Sequence, residues 1–157
     1  MYNCELKNTE EKGEGLYALK QFKRGDLIMK CQVEDFDAPN SIHSSQVGMN
    51  RFMLFSGLGQ KINHSCDPTC GIQCDEDLIH KYVAFKDIEV GEELTYDYAM
   101  GNYTVDNFPK CQCRSENCRV EINGYKGLSE ERKKEYAGFI APYLVEYEET
   151  QKEQKFK

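Results

Sequence analysis

A chain of 157 residues with 27 acidic and 20 basic side chains carries a net charge of −7, which disfavours nucleic acid as a direct partner and favours a basic one. Hydrophobic residues make up 39% of it, enough for the core of one domain of this length. The opening MYNCELKNTE lacks the apolar stretch of a secretory leader, and no run approaches membrane-spanning length.

Tyr2 excludes myristoylation and the closing QKFK is no prenylation signal, so an intracellular protein is expected, cytoplasmic or nuclear, without a membrane. In such a reducing compartment the eight cysteines suggest metal ligands ahead of disulfides.

Short, turn-bounded apolar runs predict strands over Leu16–Leu19, Leu27–Cys31, Tyr82–Phe85 and Leu94–Tyr98. Two stretches resemble each other, FKRGDLI (Phe22–Ile28) and IEVGEEL (Ile88–Leu94). Each sets an apolar residue, a glycine, an acid and an apolar residue at matching offsets. Gly25 and Gly91 supply the permissive turn that leads into a strand. Residues 34–50 and 100–110 read as loops, and no long helical period occurs before residue 128. From there Ser129 suits a helix N-cap, with Glu130 and Glu131 in the first turn. Pro142 either opens a second helix or kinks the first, and the final EETQKEQKFK reads as a fraying, solvated end. The fold class is therefore mainly β, a body of small strands with a helical C-terminal extension.

Chemistry concentrates in two places. KINHSCDPTC (Lys61–Cys70) sets an amide, an imidazole, a hydroxyl and a thiol in four consecutive positions, Asn63–Cys66. CQCRSENC places Cys111, Cys113 and Cys118 in a stretch without apolar period. Structural zinc takes four ligands, so three thiolates leave one position to fill. Cys66, Cys70 and Cys74 are candidates, and Cys4 and Cys31 weaker ones. The alternation of Cys70, Ile72 and Cys74 also fits one face of a strand, so core packing is the default for that pair. GEGLYA matches the dinucleotide pattern G-x-G-x-x-A, with Glu34 about twenty residues further on. No helix or repeated βαβ alternation follows it, and that reading is rejected. His43, Ser44 and Ser45 do not make a hydrolase, because no G-x-S-x-G exists in the chain.

Taken together, KGEGLYA, FKRGDLI, INHSCDP, AFKDIEVGEELTYDY and CQCRSENCR, in this order over residues 12–119, resemble the SET-domain protein-lysine methyltransferases with a cysteine-rich post-SET motif. The resemblance implies a β-clip fold of small sheets in which INHSC lies against TYDY in a knot-like arrangement. It divides the chain into a SET domain (1–110), a post-SET zinc segment (111–119) and a helical C-terminal extension (120–157). It also implies S-adenosylmethionine as methyl donor, held by Asn63, His64, Tyr98 and the turn Lys12, Gly13, Glu14 and Gly15. A structural zinc ion falls to Cys66, Cys111, Cys113 and Cys118.

By the same resemblance Tyr98 is the catalytic tyrosine and Tyr96 the position governing how many methyl groups are added. Two residues apart on one strand, their hydroxyls would face the same side. The substrate implied is a lysine side chain of a histone or another basic protein. Four positions depart from the family pattern: Gln60 and Lys61 replace an arginine and an aromatic, Thr69 an asparagine, and Glu14 a basic or aromatic residue. The groove-forming segment between Val33 and Ile62 is short, which also admits a small-molecule amine as substrate. A non-catalytic module that binds zinc and the donor is the third reading. The presence of Asn63, His64 and Tyr98 speaks against it.

Overall fold

The computed structural model describes residues 2–157. In chain order it contains β1 (Cys4–Thr9), β2 (Gly13–Ala18), β3 (Leu27–Lys30), β4 (Gln32–Asp35), β5 (Ser45–Gly48), β6 (Arg51–Ser56), β7 (Asn63–His64), β8 (Cys70–Cys74), β9 (His80–Ala84), β10 (Glu93–Tyr96), α1 (Glu130–Glu135) and α2 (Pro142–Lys155). Seven strands form one sheet in the order β1-β2-β10-β8-β9-β3, with β7 also paired to β10. The remaining three form a second sheet, β4-β6-β5.

The two similar stretches of sequence face each other across a local two-fold. Phe22 and Ile88 exchange both backbone hydrogen bonds, at 3.0 and 2.8 Å. Gly25 N–H donates to Ala84 and Gly91 N–H to Ala18, each at 2.8 Å, while Ala84 N–H donates to Asp26 and Ala18 N–H to Glu92. The acid of each stretch closes its own turn, Asp26 accepting from Lys23 N–H and Glu92 from Glu89 N–H. Gly25 and Gly91 have φ of +92° and +86°, a region that costs a side chain. The shared pattern thus spells one turn used twice, and it ties the β2 end of the molecule to the β9 end.

The segment 34–50 is a loop only in part. β4 reaches into it, β5 lies within it, and both pair antiparallel with β6. SQVG and QVED carry little apolar signal because most of their side chains are not buried, and only Gln46 and Val47 are well covered. At the other end, Pro142 occupies the first turn of α2 and opens a second helix. Ser129 caps α1, its hydroxyl accepting from Arg132 N–H at 3.1 Å. The closing residues are exposed but helical through Lys155.

The helices are bonded into the sheet core. Ile72 N–H donates to the Phe139 carbonyl at 2.9 Å, and Ala141 N–H to that of Met100 at 2.8 Å. Phe139 lies so close over β8 that a Cβ on Gly71 would sit 2.5 Å from it. Tyr143 donates to the Gly101 carbonyl at 2.7 Å.

His80, on β9, is 2% exposed. Its ring lies 5.1 Å from that of Phe55, and neither ring nitrogen has a partner among the described residues. Burial pushes its pKa down from 6.5 to about 4. A depressed histidine contributes stability above its unfolded pKa and loses it as pH falls from there through the folded value. His80 should thus withdraw about 3 kcal/mol as pH drops from 6.5 to below 4. Replacing an unpaired buried polar group by an apolar one of similar size is near neutral or stabilising. His80→Leu is therefore expected to keep or raise the melting temperature at pH 7 and to flatten its decline toward pH 4. Thermal melts across that range decide it, and a strongly destabilised variant at pH 7 would show that the ring has a partner after all.

Candidate active site and metal centre

β7 runs parallel to β10 with Asn63 beside Thr95 and His64 beside Tyr96, and Ser65 N–H donates to the Tyr96 carbonyl at 3.1 Å. INHSC therefore lies directly against TYDY. The turn after β7 carries Cys66 toward the irregular segment that holds the other three thiols. The sulfurs of Cys66, Cys111, Cys113 and Cys118 all lie within 4.8 Å of one another. Tetrahedral zinc with Zn–S of about 2.3 Å holds thiolates about 3.8 Å apart, and Cys66 and Cys111 already stand at 3.9 Å. The donor set fits zinc. Burial raises Cys111 to about 11 and Cys66 further still. Burial also acts on Cys113, but the Ser115 hydroxyl 3.0 Å away and nearby backbone N–H groups outweigh it and bring this thiol to about 6. Cys4, Cys31 and Cys70 are buried in the core instead, and half-buried Cys74 packs against it.

A cavity of about 430 Å³ opens between this centre and the β1–β2 turn. Lys12, Asn63, His64 and Tyr98 line it, with Glu11 and the stretch Phe108–Cys113 closing the far side. A larger hollow of about 660 Å³ at Cys74–Asp77 and Lys81 contains, of the residues singled out above, Cys74 alone. Gly13, Glu14 and Gly15 stand behind the cavity and not on its wall. Gly13 and Gly15 belong to β2, so only the start of the expected turn is a turn; Gly13 has φ +74°. A Cβ on Gly15 would lie within 3.0 Å of Glu93, Thr9 and Asn63. The close approach lets Asn63 donate to the Glu14 carbonyl at 2.9 Å and to Glu93 at 3.0 Å. Glu93 also pairs with Lys12 at 3.4 Å; the acid-rich EEL before TYDY is the only sequence signal for this hub. Two of the departures, Glu14 and Lys61, pair with each other at 3.1 Å.

His64 is buried, and burial holds its pKa at about 4. Its Nδ1 accepts the Tyr98 N–H at 3.0 Å, so the neutral ring carries its proton on Nε2. That nitrogen faces Cys66 Sγ at 3.4 Å.

Tyr96 and Tyr98 do not share a strand face. β10 ends at Tyr96, Asp97 is extended, and Tyr98–Met100 form a 3₁₀ turn capped by Asp97, which accepts from Ala99 N–H at 3.0 Å. The rings converge nonetheless, with centroids 4.9 Å apart. Tyr82 continues the series 5.2 Å from Tyr96. Tyr98 donates to the Ile62 carbonyl at 3.2 Å. Burial, followed by the charge of Glu93, raises it to about 12. Burial likewise raises Tyr96 and Tyr82, so all three hydroxyls keep their protons at neutral pH.

Asp97 is fully buried. Arg119 donates to both its oxygens, at 2.6 and 2.8 Å, and Tyr136 donates to it at 2.8 Å. Arg119 follows the third cysteine of the motif directly, which is the one sequence clue to its position.

The SET domain family model matches residues 13–99, and the chain belongs to that family. A protein of Caenorhabditis briggsae described as "Probable histone-lysine N-methyltransferase set-23" is 32% identical over 71% of this chain and 57% of its own length. Histone-lysine N-methyltransferase Set2 of Drosophila melanogaster is 30% identical over 77% of this chain and 6% of its own. The chain thus spans just over half of the first relative and a small part of the second. A solved structure of KRYPTONITE in complex with mCHG DNA and SAH is 25% identical, with a TM-score of 0.62, over 77% of this chain and 29% of that one.

Proposed function

We propose that the protein transfers a methyl group from S-adenosylmethionine to the side-chain amine of a lysine in a protein, with a histone or another basic protein as substrate. One observation carries this reading: Tyr98 stands on the wall of the 430 Å³ cavity while its ring packs on Tyr96. A donor in the cavity and an amine beside the tyrosine cluster would meet at Tyr98. Support comes from the relatives' names, from the SAH of the KRYPTONITE structure and from the net charge of −7, which suits a basic partner. Such a substrate places the work in the nucleus or cytoplasm.

Bound S-adenosylmethionine supplies an already activated methyl on a sulfonium, so the protein's task is alignment. Asn63, fixed by Glu14 and Glu93, and Lys12 would hold the donor in the cavity, with the backbone of His64 beside them and the Gly13–Gly15 edge supporting Asn63 from behind. The Tyr98 hydroxyl and the Ile62 carbonyl are oriented dipoles that would stabilise a methyl group polarised beside them. Being protonated, Tyr98 orients and does not remove the lysine proton; the amine would lose it to solvent beside the sulfonium charge, take the methyl as the neutral amine and leave S-adenosylhomocysteine. Phe108 and Pro109 screen the site from water. Zinc on Cys66, Cys111, Cys113 and Cys118 would hold that wall in place.

Asn63→Ala is expected to weaken S-adenosylmethionine binding in calorimetry with the fold intact; unchanged affinity would move the donor elsewhere. For Tyr96, space is the issue, because its hydroxyl occupies volume that a methylated amine needs to turn. The unaltered protein should monomethylate. Tyr96→Phe should keep turnover and shift products toward di- and trimethyl-lysine in mass spectra of one target peptide. Trimethylated product from the unaltered protein would refute that role.

A further inference from the structure

We propose that Arg119 is a positioning residue that ties the four-cysteine centre to the orientation of Tyr98; the inference rests on the reading of Tyr98 as the catalytic group. Arg119 acts with both ends. Its backbone N–H donates to Cys66 Sγ at 3.4 Å, and its guanidinium holds both oxygens of Asp97. Asp97 in turn caps the 3₁₀ turn through Ala99 N–H, the peptide that follows Tyr98. The peptide that precedes it is held by His64, whose other ring nitrogen faces the same sulfur. Both peptide groups of Tyr98 are thus anchored by arms that end on Cys66.

The two arms differ in one respect. His64 belongs to β7 and stays with the sheet, whereas Arg119 is adjacent to Cys118 and moves with the metal-binding segment. When that segment is not docked, Asp97 is left as a buried carboxylate without its counter-charge. The cap on the Tyr98 turn then keeps only the single Tyr136 hydroxyl in place of the two-point guanidinium grip. Docking of residues 111–119 and the setting of Tyr98 become one event, which a zinc ion serving only to close the cavity would not require.

The test places a 3-fluorotyrosine at position 98 and follows its ¹⁹F resonance with and without zinc, alongside kcat and KM. Zinc removal should displace the resonance in the unaltered protein. Zinc-loaded Arg119→Gln should show the displaced resonance with full metal content, and kcat should fall about ten- to a hundredfold with KM little changed. Arg119→Lys restores charge without the bidentate grip and should recover part of both. If Arg119→Gln fails to fold, the double variant Arg119→Gln/Asp97→Asn removes both charges and takes its place, with the same expectation. A zinc-loaded variant with the resonance and kcat of the unaltered protein overturns the proposal. Absence of methyl transfer from every form would instead sink the functional reading, and the resonance would still decide the coupling.

Discussion

Replacing any one of Cys66, Cys111, Cys113 or Cys118 by serine should prevent zinc binding and weaken binding of the methyl donor. From Phe108 to Glu121 no residue is buried and no helix or strand forms. Besides the metal, it is held by the Arg119–Asp97 and Arg114–Glu11 pairs and by the Phe108 ring against His64 and Tyr98. In zinc-finger peptides the metal contributes about 10–16 kcal/mol, which is also the free energy of local folding. Here that local folding builds the wall of the cavity from Phe108 to Cys113. Elemental analysis of protein purified without chelator should give one zinc per chain, and hydrogen exchange over 108–121 should rise sharply in each variant. The β core, packed elsewhere, should survive with its far-ultraviolet spectrum. Zinc lost from Cys70→Ser and kept in Cys66→Ser would contradict the ligand set.

The second large effect is expected from Tyr98→Phe, which should lower turnover by about 10²-fold or more while zinc content, donor affinity and melting temperature stay close to the original. Among the described residues the hydroxyl bonds to the Ile62 carbonyl, and the ring contacts with Tyr96, His64 and Phe108 remain. Loss of one oriented group at the point of transfer should thus appear in kcat and scarcely in KM. A fully active variant would remove Tyr98 from the chemistry.

Much of this site is legible in the sequence because its parts are local. INHSC, TYDY and CQCRSENC each gather their chemical groups within a few positions, and the family order says which meet. The paired turns at Gly25 and Gly91 are readable for the same reason, since the glycine, the acid and the apolar residues all act within a few positions. Interactions formed at a distance leave no such trace. Asp97 lies between two tyrosines that draw the eye, and only the fold reveals that Arg119 and Tyr136 converge on it. That buried grip is also why the strand stops at Tyr96, where period-two reasoning carried it on to Tyr98. β1, CELKNT, and β4, QVED, escape a hydrophobic-pattern reading because many of their side chains face solvent. Glu14 and Lys61 look like separate departures until their ion pair is seen.

Lysine methylation is measured most directly as transfer of isotopic label from S-adenosylmethionine. The protein would be incubated with labelled donor, core histones and a cell lysate, and the labelled species identified by mass spectrometry. Label on the Nε of lysine in a discrete protein, absent with Tyr98→Phe, is the predicted result. Label confined to free amines, or none despite donor binding, would contradict it.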